Sequence, residues 1–424
     1  MNRRRLALLL LFAATLAGAA TPPATTHQDW RRIAAAARAR QDYPAFLAAT
    51  QAALALRPDS PRYLLDLAVG QVRTGRPDDA LATLQRLADL GVVLPLDRVP
   101  DLAPLRATPG FQAVLARLAE HARPRGAATA VLELPSQTGI IEGVAGRPAT
   151  GEYFFGDVRH RCVWRRAPDG TLARFSAADA GLGGVFNVTV DETRRVLWLT
   201  TSAVPEIEGY TADLRGTGAL CALDLATGAV VRRCPLPADG RDHCLGDLLL
   251  APDGTVYVTD SVAPVIWRLA PRSDQLEIFL ESPVFSSLQG LALVDHDRRL
   301  VVSDYSNGLW AIDLAHPTGI TAIPPPPLTT LLGLDGLLAD GNGILGVQNG
   351  IEPQRVVRLG FTPRFDAIAS VEILAAALPG FDDLTLLTRI AGRAHVVSQS
   401  GWAGFDPPGH PAPHPVRLMR LGPP

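Results

Sequence analysis

From position 128 onward, the chain repeats one pattern of short apolar strands separated by tight turns. The pattern is clearest where Asp247–Ala251, an apolar run, is followed by the turn Pro252-Asp253-Gly254 and a second apolar run, Thr255–Thr259. A Pro-Asp-Gly turn between two apolar runs is a strong hairpin signal. Two weaker strands, at 265–269 and 275–280, complete a unit of four strands.

Six such units follow one another along the chain. A four-stranded repeat of about 40 to 50 residues is typical of a β-propeller blade. We therefore predict a mainly β chain in which residues 128–422 form a six-bladed β-propeller. The strand Thr129–Leu134 should pair within blade six and close the ring, because closure leaves no long sheet edge exposed. Blade two carries an insertion from about 202 to 218.

Residues 27–122 carry a different, helical repeat. Segments 41–57 and 75–91 align at an offset of 34 residues, which is the period of tetratricopeptide repeats. The sequence thus predicts a small all-α tetratricopeptide-like module before the propeller. Its role is open between a docking groove for a protein partner and a packing or dimerisation element. So short a stack makes little groove, which favours the second role.

Residues 1–20 have the organisation of a secretory signal peptide. Arg3, Arg4 and Arg5 precede the apolar run Leu6–Leu16, and small residues follow at 17–19. The apolar run is too short to span a bilayer as a stable helix, which disfavours the alternative of an uncleaved anchor. We expect cleavage, no stable membrane anchor and a periplasmic or secreted protein.

Charge and cysteine content exclude some functions and leave others open. The formal net charge of −2 gives no electrostatic footprint for nucleic acid. All basic residues are arginine, which excludes Schiff-base chemistry on a lysine. The four cysteines fit an oxidising compartment, and Cys221 and Cys234 flank a turn across which they would face each other. Disulfides Cys221–Cys234 and Cys234–Cys244 are both candidates, and buried free thiols, Cys162 among them, are the alternative.

An oxygen-bearing side chain precedes each predicted innermost strand. Because these strands line the central channel of a propeller, residues at their starts should converge on the axis at one face. Carboxylates brought together in this way are unfavourable unless they are protonated, solvated or bound to a cation. Hard oxygen ligands suit Ca²⁺ first, then Mn²⁺, with Zn²⁺ the poorest match. The candidate metal ligands are Glu142, Asn187, Asp247, Gln289, Asp335 and Asp382.

The alternative interpretation of this ring is that its members cap turns and bind water at a channel mouth. A second set of polar residues, at the ends of the strands that run back to the same face, is predicted to orient the ligands. These residues are Asp157, Thr201, Asp260, Asp304, Asn349 and either Gln399 or Ser400.

At these positions the chain resembles the gluconolactonase / senescence-marker-protein / luciferin-regenerating-enzyme family and, more distantly, the paraoxonases. The resemblance covers about 128–422. It implies a single divalent cation in the channel, with Glu142 of Glu142-Gly143 and Asp335 of Asp335-Gly336 as ligands. Two positions depart from the family pattern. Gln289 stands where Asn is usual in blade four, and Gly246-Asp247 stands where an Asn-Asp pair is expected in blade three.

The activity that this resemblance implies is metal-assisted opening of a lactone or related ester. Asp335 or Asp247 would take the proton of the attacking water, with His243 as a third candidate. The alternative is a non-catalytic propeller that binds a small molecule or a protein, with the helical module as a docking element. The two departures favour binding, whereas the retained Glu142 and Asp335 favour an enzyme. Fold alone does not choose between them.

Overall fold

The computed structural model describes residues 26–135, 138–405 and 415–422. Within them, a five-helix region is followed by a six-bladed β-propeller, so the predicted fold class is confirmed. The predicted signal peptide lies outside the described residues. Among the described helices, none is both long and apolar enough to cross a membrane.

Four of the five helices begin at a residue whose side chain caps them, and the fourth helix is the exception. Thr26 and Asp29 form a reciprocal capping box at the first helix, and the Ser60 hydroxyl accepts a hydrogen bond from the Tyr63 amide at the third. Such caps satisfy N–H groups that the first turn of a helix leaves free. The helices are α1 (His27–Ala39), α2 (Tyr43–Leu56), α3 (Pro61–Arg73), α4 (Pro77–Asp89) and α5 (Pro109–His121). Short 3₁₀ helices lie at Leu96–Arg98, Pro100–Leu105, Ala212–Leu214 and Trp402–Phe405.

The helical module repeats with the period that the sequence predicts. Helices α3 and α4 begin 34 residues after α1 and α2, respectively. Consecutive helices pack against each other, and α5 packs on α4 at the end of the stack. Their shared core contains the fully buried side chains of Phe46, Leu64, Leu84, Leu87 and Phe111.

Twenty-five strands of the described residues build the propeller and its closure. Blades one to five follow one another in chain order, and in each of them the first of its four consecutive strands is the innermost. Strands β1 (Arg125–Gly126) and β2 (Ala128–Leu134) precede blade one. Blade one is β3 (Ile141–Arg147), β4 (Glu152–Asp157), β5 (Cys162–Arg166) and β6 (Leu172–Arg174). Blade two is β7 (Gly184–Asp191), β8 (Val196–Ser202), β9 (Gly218–Asp224) and β10 (Val230–Pro235). Blade three is β11 (Leu245–Leu250), β12 (Val256–Asp260), β13 (Val265–Leu269) and β14 (Glu277–Glu281). Blade four is β15 (Leu288–Val294), β16 (Arg299–Asp304), β17 (Gly308–Asp313) and β18 (Ile320–Ile323). Blade five is β19 (Leu334–Asp340), β20 (Gly343–Gln348), β21 (Arg355–Phe361) and β22 (Ile368–Ala376). Blade six contains β23 (Leu387–Ile390), β24 (Arg393–Gln399) and β25 (Val416–Leu421).

The ring closes as predicted, with one addition. Strand β2 pairs antiparallel with β25 and supplies the outer strand of blade six. Strand β1, just before it in sequence, pairs with β22 and becomes a fifth strand of blade five. The linker between the two regions is therefore fixed to the propeller by backbone hydrogen bonds, which the sequence pattern did not indicate.

Each pair of adjacent blades shares an apolar cluster. In β12, for example, every residue from Val256 to Asp260 is buried, and Trp267 on the neighbouring strand lies between blades two and three. Because the central strands are covered on both faces, their sequences are nearly continuously apolar instead of alternating.

The four cysteines are free thiols in the structure, and the expected facing of Cys221 and Cys234 is wrong by one residue. Cys221 pairs in register with Arg233, and Cys234 with Leu220. Side chains of successive strand residues point to opposite sheet faces. As a result, Cys221 packs between blades one and two, and Cys234 packs between blades two and three.

The helical module sits on one face of the propeller, over blades four and five. Nε2 of His27 and Nη2 of Arg57 contact Oδ1 of Asn307, at 2.9 and 2.6 Å. The buried Arg355 of blade five donates from Nη1 to the carbonyl of Gly91 at 3.0 Å. Ile351 packs against the helical core. This is also the face on which the innermost strands begin.

Candidate active site

Each of the first five innermost strands begins with a two-residue bulge at the channel mouth. The strand pairs with its neighbour through one residue (two in blade two), skips two, and pairs again. The first bulge position holds Glu142, Phe186, Gly246, Gln289 and Asp335, and the second holds Gly143, Asn187, Asp247, Gly290 and Gly336. The sequence-predicted ring members are therefore not at equivalent positions. Three occupy the first bulge position and two occupy the second.

The glycines of the second position let neighbouring blades approach closely. A Cβ on Gly290 would lie 2.4 Å from the amide nitrogen of Leu337, and one on Gly143 would lie 2.8 Å from Cα of Asn187. Both contacts are with the backbone of the next blade, so no side-chain rotation could relieve them. These glycines set the spacing of the innermost strands around the channel.

Blade six departs from this pattern, and Asp382 does not occupy the position expected for it. Asp382 is exposed, and its carboxylate accepts a 3.5 Å contact from Nε2 of Gln399. The position nearest to the other bulges is held by Thr385, whose hydroxyl donates to the carbonyl of Glu142 at 3.0 Å. The physical reason is that β23 begins only at Leu387, after an irregular segment.

Three carboxylates of the ring lie within electrostatic reach of one another. Asp247 is buried, whereas Glu142 and Asp335 are partly open to the channel. Burial, followed by the charge of Asp335, raises the pKa of Asp247 to about 8. Burial raises the pKa of Asp335 to about 6. Burial and then the charge of Asp335 hold the pKa of Glu142 well above its ordinary range.

Asp335 is held by Asn349, which the sequence placed in the second set of polar residues. Nδ2 of Asn349 donates to Oδ2 of Asp335 at 2.6 Å and to the carbonyl of Leu384 at 2.8 Å. Oδ1 of Asn349 is buried and has no hydrogen-bond partner. Tyr305 stands beside this group, and burial, followed by the charges of Asp335 and Glu142, raises the pKa of its hydroxyl.

Glu142 is held by a residue of blade six. The indole N–H of Trp402 donates to its carboxylate. Trp402 belongs to an apolar cluster with Phe186 and Tyr210, which comes from the blade-two insertion. Sequence reasoning missed Trp402 as a site residue, because nothing near it in sequence marks its partner, which lies 260 positions away.

The two amide-bearing ring members have different surroundings. Asn187 donates from Nδ2 to Oδ1 of Asp247 at 3.1 Å. These two side chains line a channel cavity of about 230 Å³ whose other walls are largely aliphatic. Gln289 is partly exposed and donates from Nε2 to the hydroxyl of Ser287 at 3.3 Å. Asn187 is thus hydrogen-bonded to the carboxylate of Asp247, whereas Gln289 is hydrogen-bonded to Ser287, two residues before it.

His243, the third candidate base, is enclosed between Asp239 and Asp260. Its Nδ1 lies 2.6 Å from Oδ2 of Asp260 and its Nε2 lies 3.0 Å from Oδ1 of Asp239. The side chain is almost completely buried. Both ring nitrogens are committed to carboxylates, so neither is directed at a ligand in the channel mouth.

The aspartates of the second set mostly organise loops. Asp260 accepts hydrogen bonds from the backbone amides of Cys244, Val262 and Ala263 and from the indole of Trp267. Asp157 and Asp304 also accept from nearby backbone amides. These aspartates therefore cap turns, whereas Asn349 donates to Asp335 and Gln399 makes a longer contact with Asp382.

The mouth has the donor chemistry of a site for an oxygen-preferring cation. Within the described residues, no three His, Cys, Asp or Glu side chains are grouped so as to hold a metal ion. A cation here would therefore need amide oxygens in addition to carboxylates. Asn349 offers one, because its unpartnered Oδ1 belongs to the same amide that contacts Asp335. The oxygen set of Glu142, Asp335 and Asn349 fits Ca²⁺ in chemical type.

Fold and site together define a six-bladed propeller with a cluster of carboxylates at one channel mouth and a helical module over the same face. No protein-family model matches the sequence, and none of the curated proteins is detectably similar to it.

Solved structures that the chain resembles are propellers of several activities. They include the calcium-binding protein regucalcin from Agrobacterium tumefaciens, with 14% identity over 70% of this chain and 96% of that chain and a TM-score of 0.49. A gluconolactonase from Xanthomonas campestris has 18% identity over 70% of this chain and 98% of that chain, with a TM-score of 0.46. A PQQ-bound aldose sugar dehydrogenase from Streptomyces coelicolor has 13% identity over 71% of this chain and 99% of that chain, with a TM-score of 0.47. Luciferin-regenerating enzyme is also among them. At such identities the likeness concerns the fold.

Proposed function

We propose that this protein is an exported, metal-dependent hydrolase of the gluconolactonase type, which opens a lactone or related ester at the carboxylate-lined channel mouth. The observation that carries the proposal is the convergence of Glu142, Asp247 and Asp335, of which Asp247 lines a cavity. Asp247 and Asp335 accept hydrogen bonds from amides and Glu142 from an indole, and in the described residues no arginine is hydrogen-bonded to any of the three. Buried carboxylates without a cationic partner are unfavourable for stability and are frequent at functional sites.

The residues divide into two groups by their surroundings. Glu142, Asp335 and the free Oδ1 of Asn349 are the oxygens that would hold a divalent cation, with Ca²⁺ the first choice and Mn²⁺ the second. When bound, such a cation supplies a Lewis acid for an ester carbonyl and lowers the pKa of a water molecule. Trp402 donates a hydrogen bond to Glu142, and Tyr305 lies close enough to Asp335 and Glu142 for their charges to raise the pKa of its hydroxyl.

Asp247 is the carboxylate suited to exchange protons during hydrolysis. It lines the channel cavity, is oriented by Asn187 and has a pKa near 8. A general base or acid works best when its pKa lies near the operating pH. In the proposed reaction, water forms the new bond to the carbonyl carbon and Asp247 accepts its proton. The ring C–O bond then breaks, and the leaving oxygen takes that proton back to give a hydroxy acid.

The first test is thermal melting after chelation, with Ca²⁺, Mn²⁺, Mg²⁺ or Zn²⁺ added back, combined with a lactone hydrolysis screen. A cation at a hundredfold excess over its Kd should stabilise the fold by about 2.7 kcal/mol. The double variant Glu142→Gln/Asp335→Asn should lose both this stabilisation and the activity. If no cation changes the melting of the parent protein, the metal-dependent mechanism is wrong.

A non-catalytic binding propeller is the second candidate. Two observations favour it. Among the described residues, no three acidic, His or Cys side chains are grouped as metal ligands, and the Gln289 amide donates to Ser287 and not to a ring carboxylate. A protein that melts at a higher temperature with a cation or lactone but turns over none of the lactones would support this function over hydrolysis.

Export is a separate part of the proposal and rests on the sequence of residues 1–20. Cell fractionation of the full chain tests it. We expect a mature protein, shortened at about residue 20, in the periplasm or medium. Full-length protein in the cytoplasm would contradict the proposal.

A further inference from the structure

A second cavity lies between the helical module and the propeller, next to the carboxylates. Its volume is about 570 Å³, within the range of cavities that hold small molecules. One wall comes from the start of α3 and the segment after α4, and the other comes from loops of blades four and five. Neither region alone forms this cavity, which we call the side cleft.

The side cleft is lined mainly by aliphatic side chains. Among its lining residues are Leu65, Val92, Leu94, Leu332 and Ile351. Its charged lining residues, Arg62 and Glu352, are exposed, and Nε of Arg62 donates to Asp66 at 2.9 Å. A ligand with many hydroxyl groups would leave several of them without partners against these walls, which is unfavourable. An alkyl chain has no such cost.

The side cleft adjoins the carboxylate site at two of its lining residues, Asn349 and Tyr305. Asn349 lines the cleft and donates to Asp335. Tyr305 also lines it, and burial, followed by the charges of Asp335 and Glu142, raises the pKa of its hydroxyl. A Cβ on Gly350 would lie 2.8 Å from that hydroxyl, so the absence of a side chain at Gly350 leaves room for the Tyr305 ring. Asn349 and Tyr305 thus mark the part of the cleft that adjoins the carboxylates, and aliphatic side chains make up much of the remaining lining.

We propose that the side cleft binds the aliphatic chain of a lactone or ester whose carbonyl lies at the ring carboxylates. The inference rests on the proposed hydrolase function and names its substrate class: alkyl-substituted lactones or esters. The helical module is then one wall of the substrate site. This role differs from both roles that the sequence left open for it.

The test is a series of δ-lactones that carry alkyl substituents from methyl to octyl, compared with glucono-δ-lactone on the full mature protein. Burial of one methylene should raise kcat/KM about fourfold until the cleft is full. Glucono-δ-lactone should be a poorer substrate than the longer alkyl lactones. A flat dependence on chain length, or a preference for glucono-δ-lactone, would overturn the inference.

Variants on the two walls sharpen the test. Leu65→Gln on α3 and Ile351→Gln on the propeller place an amide in the cleft and should each weaken the dependence on chain length. The matched control is Ile33→Gln on α1, an exposed isoleucine outside the cleft, which should keep the parent dependence. The inference is wrong if both cleft variants keep it, or if the control loses it.

Binding of alkyl-substituted δ-lactams, measured by calorimetry, separates this inference from the function it rests on. Lactams resist hydrolysis but have the same shape. Affinity that rises with chain length in a protein that opens no lactone would refute the hydrolase and leave the cleft assignment standing. Lactone hydrolysis without any effect of chain length on lactam affinity would refute the cleft assignment alone.

Discussion

The buried Asp247 should make the stability of this protein depend strongly on pH, and Asp247→Asn should remove that dependence. Burial and the neighbouring Asp335 raise the pKa of Asp247 from its ordinary 3.8 to about 8. A group whose pKa is higher in the folded state than in the unfolded state binds its proton more tightly when folded. Its stabilising effect is complete below pH 4 and is lost as the pH rises to 8.

The expected size follows from this pKa difference of about four. At about 1.4 kcal/mol per pKa unit, ionised Asp247 lowers the free energy of unfolding by about 6 kcal/mol above pH 8. Asparagine has nearly the same shape, cannot ionise and can still accept the 3.1 Å hydrogen bond from Asn187. The variant should therefore match the parent protein near pH 4 and exceed its stability increasingly up to pH 8.

Differential scanning calorimetry between pH 4 and 9, with a chelator present, measures this difference. Roughly 2 °C of melting temperature per kcal/mol predicts a gap of about 12 °C at pH 8. The matched control is Asp179→Asn, at an exposed aspartate, which should leave the pH profile unchanged. A gap between Asp247→Asn and the parent that does not change with pH, or a variant that melts below the parent at pH 9, would refute the reasoning.

Three further predictions concern the scaffold. Gly290→Ala should lower the free energy of unfolding by about 3 kcal/mol or more, because its Cβ would meet the backbone of Leu337. Urea denaturation should show little change for Gly319→Ala, whose Cβ would have its nearest neighbour at 3.5 Å, and equal losses in the two variants would contradict this account. His243→Gln should lower stability by about 1 to 3 kcal/mol while kcat/KM stays within twofold; a folded variant that has lost activity would restore His243 as a catalytic candidate. All four cysteines of the protein should react with a thiol reagent once it is denatured without reductant, and fewer than four reactive thiols would reveal a disulfide.

The parts of the architecture that depend on neighbouring residues could be predicted from the sequence. Hairpin turns such as Pro252-Asp253-Gly254 fix the strand order within a blade. The 34-residue offset gives the helix period, and helix starts coincide with capping residues such as Ser60. Closure by the segment Thr129–Leu134 followed from the need to cover a sheet edge.

The candidate site was predictable only in part, because register is a property of paired strands. The sequence selected Glu142, Asp247 and Asp335, which the structure brings within electrostatic reach of one another. It could not show that a bulge separates Asp247 from the position held by the other two, because a bulge appears only when two strands are aligned. Asp382 was misplaced for a related reason, since the late start of β23 is not marked in the sequence.

By itself, then, the sequence determined the helical repeat, the six blades and the acidic character of the channel mouth, all of which follow from local spacing and residue type. Only the tertiary structure decided which distant side chains complete the mouth. Trp402, Asn349 and Tyr305 reach Glu142 and Asp335 because ring closure brings different blades to one axis. The position of the helical module over blades four and five was likewise decided by packing. Its contacts join residues up to 280 positions apart, a separation at which local sequence preferences carry no information about pairing.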